Sequence, residues 1–272
     1  MAFLPFILRR ARRHWQILLT LSLGVVLTTA LLASGPLLVD TVIEMGLDLT
    51  FQSSGVADGN LRLTTSTHSA SSEQAQVDQV GFQALGSEIQ ALLRGALGEH
   101  LDCVTRSAES KWMFPWVGGQ LATDQRVNLR FYEGIRDRVE YVAGEWPEEA
   151  NGEPNVIRAV ISDGMARSFV LRVGDRLPLS IEQNSAGPDV WIEVAGVVRP
   201  LNPRDPYWFG EFSPLTSQSA QRWSAQYSAI VPVGTFFPAV SSLFPRDKVD
   251  LTWHTILKHN AFSAADIEPF QA

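Results

Sequence analysis

The sequence predicts an α+β protein in which one N-terminal transmembrane helix precedes a mixed α+β extracytoplasmic domain. Three observations support this fold class. Residues 15–39 form an uncharged apolar run long enough to span a bilayer. The region behind it begins with a strand pattern, a long helical pattern and further strands. Its second half then contains several short strand patterns around one short helix.

The apolar run contains no Asp, Glu, Lys or Arg. As a helix it would extend roughly 37 Å, against a hydrocarbon core of about 30 Å. A cleaved secretory signal has a shorter apolar region that ends at a small-residue site. Ala33-Ser34-Gly35 could serve as such a site, but the run continues through it to Val39. We therefore expect a retained anchor, with signal cleavage as the alternative.

Charge predicts the orientation of this anchor. Four arginines precede it and three acids follow it: Arg9, Arg10, Arg12, Arg13, Asp40, Glu44 and Asp48. Because basic flanks stay in the cytoplasm, we expect a single-pass protein of the cell membrane with its N-terminus inside and its body outside. The arginines would also contact anionic membrane lipid, unless they serve only to set topology.

Five regions follow from these boundaries. Residues 1–14 are a basic cytoplasmic lead-in, and residues 15–39 are the transmembrane helix. Helical spacing of apolar residues continues beyond the membrane and predicts a stalk over residues 40–55. The extracytoplasmic domain occupies residues 56–262, and a capping pattern indicates the start of another helix in residues 263–272.

In the first half of the body, residues 60–67 alternate as a strand. A capping signal at Ser71 or Ser72 is followed by apolar residues at helical spacing, with Gly98 as the expected end of that helix. Further strands are expected in residues 103–114 and 126–144.

In the second half, Ser162 and Asp163 are expected to cap a short helix that ends at Phe169. Strand patterns surround it, and an apolar segment broken by Pro and Gly predicts a strand and a short core helix rather than a second membrane span. These segments are residues 156–161, 176–182, 189–200, 227–244 and 248–257.

A structural turn is predicted where the short helix leads into the next strand. The turn is Val173-Gly174-Asp175. Gly174 is expected to adopt a positive φ, which costs glycine little, and the Asp175 side chain is expected to bond the backbone.

Composition excludes some functions. The net charge is −7, and without the four arginines of the lead-in 18 basic residues stand against 29 acidic ones. No nucleic-acid partner is expected for so acidic a body, because binding phosphates requires basic patches. Cys103 is the only cysteine, which excludes an internal disulfide and a paired-cysteine zinc site.

No catalytic, cofactor or metal residues are predicted. The metalloprotease, nucleophile-elbow and phosphate-loop motifs are absent from the sequence. His254 and His259 are expected to be ordinary surface histidines, and Cys103 a small buried apolar side chain. The body is therefore expected not to be an enzyme.

One aromatic cluster stands above this background. Tyr207, Trp208, Phe209 and Phe212 lie in a loop stiffened by proline. We expect them to cover the core as a lid, since such residues are usually buried. The alternative is an exposed surface for a partner.

The order of these segments resembles a known family. A basic lead-in, one span and an acidic body are followed by the stretches VAGEWPEE, VIRAVISDGMARSFVLRVGDRLPLS and VWIEVAGVVRP. They resemble the periplasmic core domain of MacB-like permeases, within the wider FtsX-like permease group of ABC transporters. The matching positions are Gly144-Glu145-Trp146-Pro147, Ala159 to Ser162, Ala166, Val173-Gly174-Asp175 and Val194 to Val197.

The resemblance implies a permease subunit whose extracytoplasmic domain moves as a cytoplasmic ABC ATPase opens and closes. Such permeases carry further spans after this domain, usually three, whereas this sequence ends at Ala272. The chain would then be the N-terminal part of a permease, with a permease partner or further spans supplied separately. The alternative is a single-span membrane-tethered sensor or binding module, and an anchored hydrolase fits least because no nucleophile and base pattern is present.

Overall fold

The computed structural model describes eleven stretches of the chain. They are residues 15, 19–29, 60–67, 78–148, 153, 155–210, 214–215, 218–219, 225–245, 247 and 249–258. The chain divides into two compact units, one of residues Ser54–His259 and one of Met1–Ser53 with Asn260–Ala272.

In the second of these units, residues 19–29 are helical. Within the stretches just given, no helix is long and apolar enough to cross a membrane. The predicted lead-in, the stalk, the C-terminal helix start and most of the predicted span lie outside the described residues.

The body is rich in β-structure. Its strands are β1 (Leu61–Thr67), β2 (Leu101–Glu109), β3 (Phe114–Val117), β4 (Gln120–Leu121), β5 (Gln125–Tyr132), β6 (Val139–Gly144), β7 (Val156–Ser162), β8 (Arg176–Ser180), β9 (Val190–Pro200), β10 (Gln218–Ser219), β11 (Ala225–Ile230) and β12 (Val249–Leu257).

These strands form one large mixed sheet. The hydrogen-bonded order is β1-β12-β2-β5-β11-β7-β9-β8-β3-β4, with β6 paired to β9 and β10 to β11. Two pairs, β5–β11 and β7–β9, are parallel, and the others are antiparallel. The long β9 is central to the second half because β6, β7 and β8 all pair with it.

In the described part of the body, three α-helices accompany the sheet: α1 (Gln79–Leu97), α2 (Asp163–Phe169) and α3 (Val233–Leu243). Helix α1 begins later than predicted, because Asp78 and not Ser71 or Ser72 is its N-cap and accepts a 2.7 Å hydrogen bond from the Gly81 amide. It ends at Gly98, as expected from the sequence. Ser162 caps α2 by accepting from the Met165 amide at 3.1 Å.

The core has two parts. The larger part joins the sheet to the three helices through Phe82, Met165, Phe236 and Phe237. The smaller part contains the alternate strand residues, such as Val160 and Ile230, together with Tyr207, Trp208 and Leu215. Alternation along the strands therefore places helices against one set of side chains and the aromatic segment against the other. The expected mixed α+β class is confirmed for the described body.

Candidate functional site

An apolar groove of about 730 Å³ lies beside helix α2. We call it the α2 groove. Its volume is within the range of small-ligand pockets. It is lined by Val142, Ala143, Asp163, Ala166, Arg167, Val170, Leu171, Arg172, Val173 and Val197.

Strand β6 supplies one wall of the α2 groove. Its pairing with β9 shifts register between Tyr141 and Ala143, so that Val142 is the extra residue of a β-bulge. The Val142 side chain is 54% exposed. Bulges re-aim side chains and often occur beside functional sites. The bulge thus explains how a valine within a paired strand reaches an open groove.

The wall can approach β9 closely because two glycines meet there. Gly144 pairs with Gly196 in the antiparallel register and has a φ of 71°. A Cβ on Gly196 would lie 2.8 Å from the carbonyl oxygen of Glu145. Only glycine leaves room for this backbone contact, which holds the bulge against β9.

The predicted turn forms the far end of the groove. Gly174 has a φ of 88°, the positive value expected from the sequence. The Gly174 amide donates to the Val194 carbonyl at 2.8 Å, and the Arg172 amide donates to Asp175 Oδ2 at 2.7 Å. The first bond joins the turn to β9, and the second closes the turn around Val173, which lines the groove.

Val170 is the most unusual residue of the site. It follows α2 with a φ of 55°, in the left-handed region that β-branched residues rarely adopt. The Leu171 amide donates to the Ala166 carbonyl at 2.9 Å, which is the helix-ending bond of a Schellman motif that usually has glycine at this position. Yet the Val170 side chain is 83% exposed. Strained backbone is often found at functional sites, so Val170 marks this end of the groove as a candidate for function.

The charges at the rim of the groove are largely paired. Arg167 donates to both oxygens of the Asp163 carboxylate, with N–O distances of 2.7 and 2.6 Å. The lining contains neither a nucleophile nor a histidine. The groove can therefore bind an apolar group, but its lining residues provide no acid–base pair for catalysis.

The aromatic segment is buried where the structure describes it, which contradicts the alternative hypothesis that it forms an exposed partner surface. Tyr207, Trp208 and Phe209 are buried in the body. Tyr132 Oη donates to the Tyr207 carbonyl at 2.9 Å, and Trp208 Nε1 donates to the Asn202 carbonyl at 2.8 Å. These three residues therefore fit the lid interpretation and offer no surface to a partner. Phe212 lies outside the described residues.

A serine and a histidine far apart in the sequence meet inside the body. Ser107 Oγ lies 3.3 Å from His254 Nε2. His254 is 1% exposed, so its prediction as a surface histidine is wrong. Burial and the nearby Arg130 and Arg62 lower its pKa to about 3. No described residue accepts from or donates to its Nδ1. In a hydrolase site the histidine must be a strong enough base and an acid must orient it. The buried pair of Ser107 and His254 meets neither requirement, so it does not form such a site.

Two further sequence expectations concern cysteine and metal. Cys103 is exposed rather than buried, and partial burial together with the Asp102 carboxylate raises its thiol pKa. It is therefore a poor nucleophile near neutral pH. In the described parts of the chain, no three His, Cys, Asp or Glu side chains cluster as metal ligands would. His259 lies outside those parts.

Comparison with known proteins gives a limited likeness. No protein-family model and no curated protein matches the sequence. A domain of a candidate permease from Porphyromonas gingivalis is 18% identical, with a TM-score of 0.34, 79% of this chain covered and 82% of that chain. The periplasmic region of MacB from Actinobacillus actinomycetemcomitans is 12% identical, with a TM-score of 0.35 and coverages of 78% and 81%. Neither identity nor TM-score is high enough to assign this chain to a family.

The sequence had identified the Gly174 turn but not the groove that it borders. Val142 and Val170 were not singled out, because a bulge and a left-handed valine leave no mark in a hydrophobic pattern. Val170 could have been found from the sequence in one way. It directly follows the predicted helix end at Phe169, where glycine is the usual residue.

Proposed function

We propose that this chain is membrane-anchored and that its body is an extracytoplasmic domain of the ABC-transporter permease type. In this proposal the body binds a partner and transmits motion without catalysing a reaction. A cytoplasmic ABC ATPase and a permease partner complete the machine. The residues that carry the proposal are those of the α2 groove.

The supporting observation is that the three stretches resembling MacB-like permeases converge on one place. Val142 and Ala143 come from the first stretch, Asp163 to Val173 from the second, and Val197 from the third. Residues as far apart in the sequence as Val142 and Val197 thus build a single apolar surface. An exposed apolar groove on an otherwise acidic body favours recognition of another molecule.

The anchor is supported by the helix of residues 19–29. Six of its apolar side chains are each at least half exposed: Leu19, Leu21, Leu23, Val25, Val26 and Leu27. So many exposed apolar side chains on one helix favour an apolar environment such as lipid. The arginines before it and the acids after it favour a cytoplasmic N-terminus.

The topology is testable with a single introduced cysteine, because Cys103 is the only cysteine in the sequence and can be replaced by serine. In a Cys103→Ser chain, Val80→Cys lies at a position that is 71% exposed and should be labelled by a membrane-impermeant maleimide in intact spheroplasts, with the Cys103→Ser chain as the unlabelled control. Labelling that appears only after lysis would place the body inside and reject the proposal.

Partnership is tested by purifying the full chain from its native membranes in mild detergent. The proposal expects an ABC ATPase subunit in the complex. A histidine kinase without an ATPase would favour the sensor alternative instead.

The role of the groove is tested within that complex. Val170→Asp places a charge in the groove and should change the rate of ATP hydrolysis while the complex stays intact. Val80→Asp is the matched control, because Val80 is 71% exposed and does not line the groove. Equal rates for both variants and the unmodified chain would exclude the groove from the coupling.

A further inference from the structure

The chemistry of the α2 groove restricts what it can bind. Seven of its ten described lining residues have aliphatic side chains, and the other three are Asp163, Arg167 and Arg172. None of the ten has an aromatic ring or a neutral side chain that forms hydrogen bonds. Pockets for polar ligands place such groups to orient the ligand. The lining therefore favours an aliphatic ligand with a charged end.

The aliphatic side chains of β6 and of the predicted turn lie next to each other. A Cβ on Gly144 would lie 2.9 Å from Cγ2 of Val173, so that methyl group packs directly on the β6 backbone. Val142, from the bulge of β6, and Val173 are 54% and 43% exposed. An aliphatic chain bound in the groove would cover both and remove this apolar surface from water.

Val170 adds to the aliphatic surface in a way that the core does not explain. Its φ is 55°, and glycine would adopt this left-handed conformation with less strain. Because the side chain is 83% exposed, it contributes little to the packing of the body. A contact with a bound ligand gives this strained residue a role.

One positive charge of the groove is left without a counterion. Arg167 pairs with Asp163 at 2.6 Å. Arg172 donates from its backbone amide to Asp175, but within the described stretches no carboxylate forms an ion pair with its guanidinium. The chain as a whole has 22 basic and 29 acidic residues. A local positive excess on so acidic a chain favours an anion, and arginine binds carboxylates and phosphates through paired hydrogen bonds.

We propose that the α2 groove binds a single-chain amphiphile with one anionic head group. The aliphatic chain lies against Val142, Val170 and Val173, and the head group accepts hydrogen bonds from the guanidinium of Arg172. This inference rests on the proposed function, in which the α2 groove is the recognition surface, and adds the class of its ligand. A peptide segment fits less well, because its backbone amides need acceptors and the carboxylate of the described lining already pairs with Arg167.

Photolabelling of the full chain in membranes tests the site. The probe is dodecanoate with a diazirine at the far end of its chain, and the labelled peptides are identified by mass spectrometry. Labels are expected on residues 142–143 and 163–173, which line the groove. Unlabelled dodecanoate should compete for these positions, whereas dodecyltrimethylammonium, with a similar chain and the opposite charge, should compete far less. No label in the groove, or equal competition by the two, would overturn the proposal.

Variants of one arginine test the head-group contact. Arg172→Gln should reduce labelling of the groove about tenfold or more, because a hydrogen bond to a charged group is lost, and Arg172→Lys should keep most of it. Arg204→Gln is the matched control, since Arg204 is exposed and does not line the groove. Thermal midpoints of the variants separate lost binding from misfolding. Undiminished labelling of a folded Arg172→Gln chain would reject Arg172 as the head-group site.

The result is separable from that for the proposed function. If the groove takes no label while Val170→Asp still changes the rate of ATP hydrolysis, the groove recognises a protein segment and the amphiphile is rejected. If the groove is labelled while ATP hydrolysis is unaffected by Val170→Asp, the amphiphile site is supported and the coupling is rejected.

Discussion

Gly144 and Gly196 face each other across the β6–β9 pair, and a Cβ on Gly144 would lie 2.9 Å from the Cα of Gly196. Real Cβ atoms do not approach a backbone so closely. This contact lies beside the Val142 bulge and therefore determines the shape of the α2 groove.

Replacing Gly144 with alanine should lower the free energy of unfolding by about 2–4 kcal/mol. The variant combines a positive φ with overpacking against backbone that cannot rotate away. Urea unfolding followed by tryptophan fluorescence measures the loss. Gly187→Ala is the control, because its Cβ would meet nothing within 4 Å, and it should be nearly neutral. Equal stability of the two variants would contradict the close contact.

Gly174→Ala isolates the conformational part of that cost. Gly174 also has a positive φ, but a Cβ there would enter open space. We expect a loss of about 1 kcal/mol, smaller than for Gly144→Ala. Gly174→Asn should recover part of it, since asparagine tolerates the left-handed region. A thermal midpoint unchanged by Gly174→Ala would show that the turn has another geometry.

Val170→Gly should raise stability by up to about 1 kcal/mol. Glycine removes the strain of a β-branched residue at positive φ, and little buried surface is lost with so exposed a side chain. Val173→Gly is the control: Val173 is not among the positive-φ residues, so glycine there should destabilise. If both variants lose stability equally, Val170 carries no strain.

Local patterns predicted most of the secondary structure, and long-range pairing explains what they missed. Alternation located β7, β9 and β12, and Gly98 was recognised as the end of α1. The α2 groove depends on β6 meeting β9, which are separated by two other strands along the chain. No short sequence window contains that relationship.

His254 shows the same limit for a single residue. A histidine in an alternating strand predicts an exposed position. Its burial arises because Phe209 packs 4.8 Å from its ring and Tyr132 stacks at 5.5 Å. Both neighbours come from distant parts of the chain. The sequence predicts that the aromatic segment covers the core, but it does not indicate that His254 is the residue beneath it.

Trp208→Ala should cost about 3–5 kcal/mol, as for other buried aromatic residues. The indole is 2% exposed and donates to the Asn202 carbonyl. Trp208→Phe keeps most of the packing and loses the hydrogen bond, so a loss of about 1–2 kcal/mol is expected. Chemical unfolding of the three proteins gives the comparison. A nearly neutral effect of Trp208→Ala on stability would contradict the burial of this segment.

His254 should make folding sensitive to acid. Its ordinary pKa is about 6.5, and in the folded protein burial first, then Arg130 and Arg62, lower the pKa to about 3. Below about pH 6.5, His254 therefore binds a proton in the unfolded chain but not in the folded protein. The contribution to stability is complete above that pH and is lost as the pH falls toward 3.

The slope is up to about 1.4 kcal/mol per pH unit within this window. Between about pH 7.5 and about pH 5, the unmodified chain should lose about 2 kcal/mol more than His254→Gln, which does not titrate. Comparing the two slopes removes the contribution of every other titrating group and any constant cost of the substitution. Parallel stability profiles would mean that His254 is accessible to protons in the folded protein, and that the lid of Tyr207 to Phe209 does not seal it.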